Sequence, residues 1–146
     1  MPSSVSGEGR ERLLSAVFRL KHDLGKAVRW SAPSRRERDA ESLRRRLAAD
    51  LSRTRTVAGR TQNAVELFDT WRSEEADAFR AEPPWAERLE RIAEAVDTVR
   101  AGLPRLEKLD LAELHLLDEA SLLIQQETRG LWRDVVAAGQ SEEALT

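Results

Sequence analysis

The chain has 146 residues, 34% of them charged and 40% hydrophobic, with a net charge of −2 and no cysteine. These values fit one globular domain that buries about two-thirds of its unfolded surface. They exclude a disulfide framework, a thiolate nucleophile and a cysteine zinc site.

No apolar run reaches the roughly 18 to 20 residues of a membrane span, and residues Met1 to Gly9 lack the pattern of a signal peptide. Arginine outnumbers lysine 21 to 3, a bias expected of a GC-rich bacterial genome. A cytoplasmic protein without a membrane partner is the expectation. Apolar residues recur at helical spacing and period-two alternation is absent, so the expected fold class is all-α. Its expected architecture is an antiparallel up-and-down bundle of four helices, or five if the long second one breaks.

After a flexible tail at 1–7, the first predicted helix runs from about Glu8 to Trp30. Its apolar stripe is Leu13, Val17, Leu20, Leu24, Ala27 and Val28. The Ser31-Ala32-Pro33 sequence ends it. A second helix is expected to open at Ser34, with Glu37 completing a capping box, and to carry Leu43, Leu47, Leu51, Ala58, Val65 and Phe68 on one stripe. Thr54, Thr56, Gly59, Thr61 and Asn63 are poor helix formers, glycine alone costing about 1 kcal/mol against alanine. A kink or break is therefore expected near 53–60.

Pro83-Pro84 opens the third helix, with Trp85, Leu89, Ile92, Val96, Val99 and Leu103 alternating in steps of four and three, and Gly102 and Pro104 stop it. Asp110 and Glu113 form a capping box for the fourth, stapled by Leu109 and Leu114. That helix is expected to bury Leu117, Ala120, Ile124, Leu131 and Val135 and to end at Ala138, capped by Gly139. Residues 8–139 thus form the expected domain, and 140–146 a frayed tail. The four tryptophans, Trp30, Trp71, Trp85 and Trp132, read as core or rim packing, with an aromatic ligand groove as the alternative.

Charge is divided along the chain. Residues 1–60 hold 15 Lys and Arg against 7 Asp and Glu, whereas residues 61–146 hold 9 against 19. Mutual screening within the domain or between two copies accounts for this division; a basic surface for an acidic partner is the sharper reading.

The segment His22-Asp23-Leu24-Gly25-Lys26 stands out because His22 falls about 170° from the centre of the first apolar stripe, at 100° per residue. It is expected in water, with Arg19, Gly25, Lys26 and Arg29 around it. The segment resembles the H-D-x-G-K core of HD-domain phosphohydrolases. In that family histidine and aspartate bind metal with an upstream histidine; here the other histidine, His115, lies downstream. It also resembles the phosphoacceptor box of sensor histidine kinases, with Ala27 where proline is usual. No glycine-rich nucleotide-binding region accompanies it. It is similar, finally, to the phosphoacceptor helix of histidine phosphotransfer domains, with Gly25-Lys26 in exchanged order.

These last resemblances imply a phosphoryl group carried on His22, with Asp23 as the orienting acid. Lys26, Arg29 and Arg19 would stabilise phosphate, Gly25 would give clearance for docking, and a receiver domain would be the partner. No metal and no cofactor are implied, and His115 reads as a solvated residue. Arg44, Arg45 and Arg46, with Arg53 and Arg55, form a second candidate surface, able to meet phosphates of an anionic partner. Interleaved Glu37, Asp39, Glu41 and Asp50 favour a salt-bridged solvated face there instead, so nucleic acid is not the expected partner. The functional expectation is a non-catalytic interaction or adaptor protein in bacterial signalling, with a protein partner and a homodimer as one form. A phosphorelay protein is the alternative, and nucleic-acid binding a minor one.

Overall fold

A computed structural model describes residues 7–28, 30–31, 39–80 and 83–145. The first helix, α1, spans Gly7–Ala27. Its stripe of Leu13, Val17, Leu20, Leu24 and Ala27, together with Val28 just beyond, is buried, none more than 4% exposed. The next helix, α2, spans Ala40–Leu51 and opens at Asp39, whose extended backbone lets its carboxylate accept the Ser42 N–H at 2.7 Å. That hydrogen bond holds the Asp39 pKa below the ordinary carboxylate range. The expected cap at Ser34 and Glu37 lies outside the described residues.

The second apolar run is not one helix. It divides where its helix formers are weakest, and the division is a hairpin rather than a kink. Strand β1, Thr54–Val57, pairs antiparallel with β2, Arg60–Asn63, with Thr54 opposite Asn63 and Val57 opposite Arg60. The connecting Ala58 and Gly59 have φ of 53° and 79°. A two-residue loop with both φ positive matches the right-handed twist of the strands it joins. Thr56 and Thr61 hydroxyls lie 2.9 Å apart across the pair. The expectation of a chain without strands is corrected here. Thr54, Thr56, Val57 and Thr61 are β-branched, and around a tight turn that preference outweighs a diluted helical stripe.

Helix α3, Ala64–Glu75, starts directly from the hairpin through a capping box in which Asn63 accepts the Glu66 N–H and Glu66 accepts the Asn63 N–H. Its Trp71 packs between Phe68 and Phe79, the latter on a 3-10 turn at Ala76–Phe79. The Trp71 indole N–H donates to the Ala16 carbonyl at 2.8 Å, tying α3 to α1. Helix α4, Pro83–Gly102, joins α3 through Arg100, which donates to both Asp69 carboxylate oxygens at 2.7 and 2.8 Å. Those bonds lower the Asp69 pKa and raise that of Arg100.

A 3-10 turn at Leu103–Lys108 leads to α5, Leu111–Leu145, which begins with the expected Asp110–Glu113 box over buried Leu109 and Leu114. The helix does not stop at Ala138. It continues through Gly139 to Leu145, because one glycine costs only about 1 kcal/mol and alanine and glutamate follow it.

Among the described residues the fold is therefore mostly helical, with five α-helices and one small two-stranded sheet. Helix α5 packs against α1, α2 and α4. Phe18 meets Trp132 and Trp30 meets Asp118, so α1 and α5 run in opposite directions. Arg88 meets Asp134 while Gly102 lies beside Leu117, so α4 also opposes α5. No helix among the described residues is long and apolar enough to cross a membrane.

Candidate functional site

Where the C-terminal end of α1 meets the hairpin and the middle of α5, the surface opens into a groove of about 530 Å³. Helix α1 contributes Gly25 and Lys26 to its lining, the approach to and start of β1 contribute Arg53, Thr54 and Arg55, and α5 contributes Gln125 and Arg129; Trp30 closes one end. Local geometry explains the convergence. Arg53 and Arg55 are two residues apart in extended chain, and Gln125 and Arg129 are four apart on a helix, so each pair shares a face. A Cβ added at Gly25 would meet nothing within 4 Å, so this residue leaves the α1 wall of the groove open.

The groove is cationic. Lys26, Arg53 and Arg129 are exposed, and among the described residues no carboxylate pairs with any of them or lines the groove. Arg55 is half-buried, its Nε 3.8 Å from the Asp23 carboxylate. Three exposed cations around one concave volume, with Arg55 shared with Asp23, concentrate positive potential that an anion relieves. Trp30 adds a flat apolar surface, fixed because its indole N–H donates to Asp118 at 3.0 Å.

The residues singled out around His22 do not form the expected constellation. The imidazole is half-buried rather than free in water, stacked on Phe18 at 5.6 Å between ring centroids. Phe18 lies one helical turn earlier, the spacing at which side chains on a helix meet, and its other edge meets Trp132 at 5.6 Å. Asp23 points elsewhere, because adjacent helical residues diverge by 100°. Its carboxylate faces Arg19 at 3.9 Å and Arg55 at 3.8 Å.

Arg19 is held by Glu74 at 2.6 Å and Glu75 at 3.2 Å. Burial alone would depress its pKa, but the hydrogen bonds and charge of those two glutamates outweigh it and raise the value. Only Gly25 and Lys26 of the set line the groove, and Arg29 lies outside the described residues. His115 is exposed. Among the described residues no group of three His, Asp or Glu is arranged to hold a metal.

The Arg44-Arg45-Arg46 run is not a single surface either. Arg44 turns inward and donates to the carbonyls of Leu106 at 3.0 Å and Leu109 at 2.8 Å, satisfying the end of the 3-10 turn before α5. Arg46, with its side chain 11% exposed, donates to the Ser31 carbonyl at 2.7 Å and pairs with Asp118 at 2.7 Å and Asp50 at 3.5 Å. Asp50 in turn accepts from the Ser31 N–H and hydroxyl, both at 3.0 Å. This network anchors the segment after α1 against α2 and α5. Arg45 alone of the three faces outward, 76% exposed and paired with Glu41 at 3.6 Å. Helical periodicity is the reason: consecutive residues leave a helix in directions 100° apart, so three in a row cannot share one face.

Sequence reasoning named Arg53 and Arg55 as cations but assigned them to a helix with the triplet, and it passed over Gln125 and Arg129. A signal for the first pair is legible in the β-branched residues around Ala58-Gly59. Nothing local distinguishes Arg129, whose importance comes from which helix lies beside it. No family model, no curated protein and no solved structure matches this chain.

Proposed function

We propose that this chain is a non-catalytic, mostly helical binding module, an up-and-down bundle built on α5, that receives a phosphate-bearing anionic partner in the groove between α1, the hairpin and α5. One observation carries the reading: Lys26, Arg53, Arg55 and Arg129 converge from three elements on a volume whose described lining contains no carboxylate. Guanidinium groups suit phosphate because their planar donors match its oxygens. Binding is favoured over phosphoryl transfer because Asp23, the acid that would orient His22, is turned toward Arg19 and Arg55.

The test is calorimetric titration with inorganic polyphosphate, whose chain of phosphates offers charge without bases. The protein is expected to bind it, to lose most of that affinity in the Arg53→Ala/Arg129→Ala double variant, and to bind more weakly as salt rises. Equal binding by the double variant would remove the groove from the function. The relay alternative has its own check. Acetyl phosphate is expected to leave no acid-labile label on His22, and a label abolished by His22→Ala would make transfer the function instead.

A further inference from the structure

The groove does not end at its cations. One turn back along α1 from Gly25 and Lys26 lie Lys21 and His22, two turns back lies Phe18, and one turn forward along α5 from Arg129 lies Trp132. The Lys21 ammonium sits 5.3 Å above the Trp132 ring, His22 stacks on Phe18, and Phe18 meets Trp132 edge-on. Phe18 is 49% exposed, unusual for a large aromatic residue in a chain with so few. Since residues three and four apart share a helix face, this cluster and the groove are one strip along the α1–α5 junction. Its cationic centre has aromatic rings at both ends, with Phe18 and Trp132 at one and Trp30 at the other. From Phe18 to Lys26 alone the strip covers about 12 Å of helix.

Resting on the anion-binding reading of the groove, we infer that this strip receives single-stranded nucleic acid, its phosphates on Lys26, Arg53, Arg55 and Arg129 and its bases against Phe18, Trp132 and Trp30. Three features select this occupant. A cationic stretch flanked by exposed Phe18 and half-buried Trp132 and Trp30 matches a polymer that carries both phosphates and flat bases, whereas a phosphate chain would leave the rings unused and an acidic peptide supplies no repeated π-face. Aromatic rings lie beyond both ends of the cationic stretch, a length that a single mononucleotide does not need. A duplex hides its base faces in the stack and so offers none to the rings.

The experiment is fluorescence anisotropy with a labelled oligothymidylate of about 12 nucleotides, within the range that single-strand sites cover. Four competitors follow: inorganic polyphosphate, poly-glutamate, thymidine monophosphate and a duplex of equal length. Binding is expected with a slope of log affinity against log salt of about −2 to −3, since three or four phosphates are neutralised at about 0.7 each. Phe18→Ala, at a half-exposed position, is expected to weaken the oligothymidylate at least about fivefold and to leave polyphosphate binding unchanged. Gly25→Leu, which projects a side chain into open groove, is expected to weaken both, with the far-UV circular dichroism of each variant matching the parent.

If polyphosphate binds but the oligothymidylate does not, or if Phe18→Ala leaves its affinity unchanged, the nucleic-acid inference is overturned and the anion groove stands. Poly-glutamate, the mononucleotide or the duplex competing as well as the single strand would also overturn it. Binding of neither polyanion overturns both readings.

Discussion

Arg46 on α2 and Arg129 on α5 carry the same guanidinium, yet one is a structural tie and the other is open to solvent. Arg46 gives its donors to Ser31, Asp50 and Asp118, and Arg44 beside it gives its own to backbone carbonyls at the end of a 3-10 turn. By contrast, Arg53 and Arg129 border a groove without a described carboxylate. The densest run of positive charge in the sequence is thus largely neutralised within the fold. The surface with unspent charge is assembled from residues far apart in the chain. Local charge density says little about where a protein offers charge to a partner; what matters is which cations the fold has already paired.

Arg46→Ala leaves Asp50 and Asp118 without their cation in a largely buried site, and chemical denaturation is expected to show a loss of about 3 kcal/mol, with polyphosphate affinity per folded molecule unchanged. Arg44→Ala strips two carbonyls of their donor and is expected to cost about 1–3 kcal/mol, again without a binding effect.

At the groove the pattern reverses. Arg129→Ala is expected to change stability by no more than about 0.5 kcal/mol, as for surface positions generally, while reducing anion affinity and flattening its salt dependence. Gly25→Ala sharpens the contrast, because its new Cβ meets open space and a helical glycine is replaced; a gain approaching about 1 kcal/mol is expected. The smallest effect concerns pH. The Asp69 pKa is lowered by Arg100, so the stability this pair contributes is fully present above the unfolded aspartate value near ~3.9. It is lost as pH falls through the lower folded value. Because the pair is half-exposed, the acid limb of a stability–pH profile is expected to move only slightly in Asp69→Asn.

Much of the helical framework was legible because it depends on short-range rules. The stripe of α1, the double-proline start of α4 and the Asp110–Glu113 box of α5 each need only a few neighbouring residues, and each appears as read. The hairpin was missed for a related reason. Thr54 to Asn63 satisfies a weak helical stripe and a β-turn pattern at once, and the two-residue loop at Ala58-Gly59 decides between them. Ala58 sits at a positive φ that alanine adopts reluctantly, so the usual Asn-Gly or Gly-Gly signature was absent.

The sequence by itself determined which faces of α1, α4 and α5 are buried, because helical period and side-chain polarity leave only one orientation that removes the apolar stripe from water. Tertiary structure decided the site. It set Trp132 against Phe18, turned Asp23 toward Arg55, consumed Arg44 and Arg46 internally, and brought Lys26, Arg53 and Arg129 around one groove. Charges act through distance in space, and distances between residues a hundred positions apart exist only once the helices have packed.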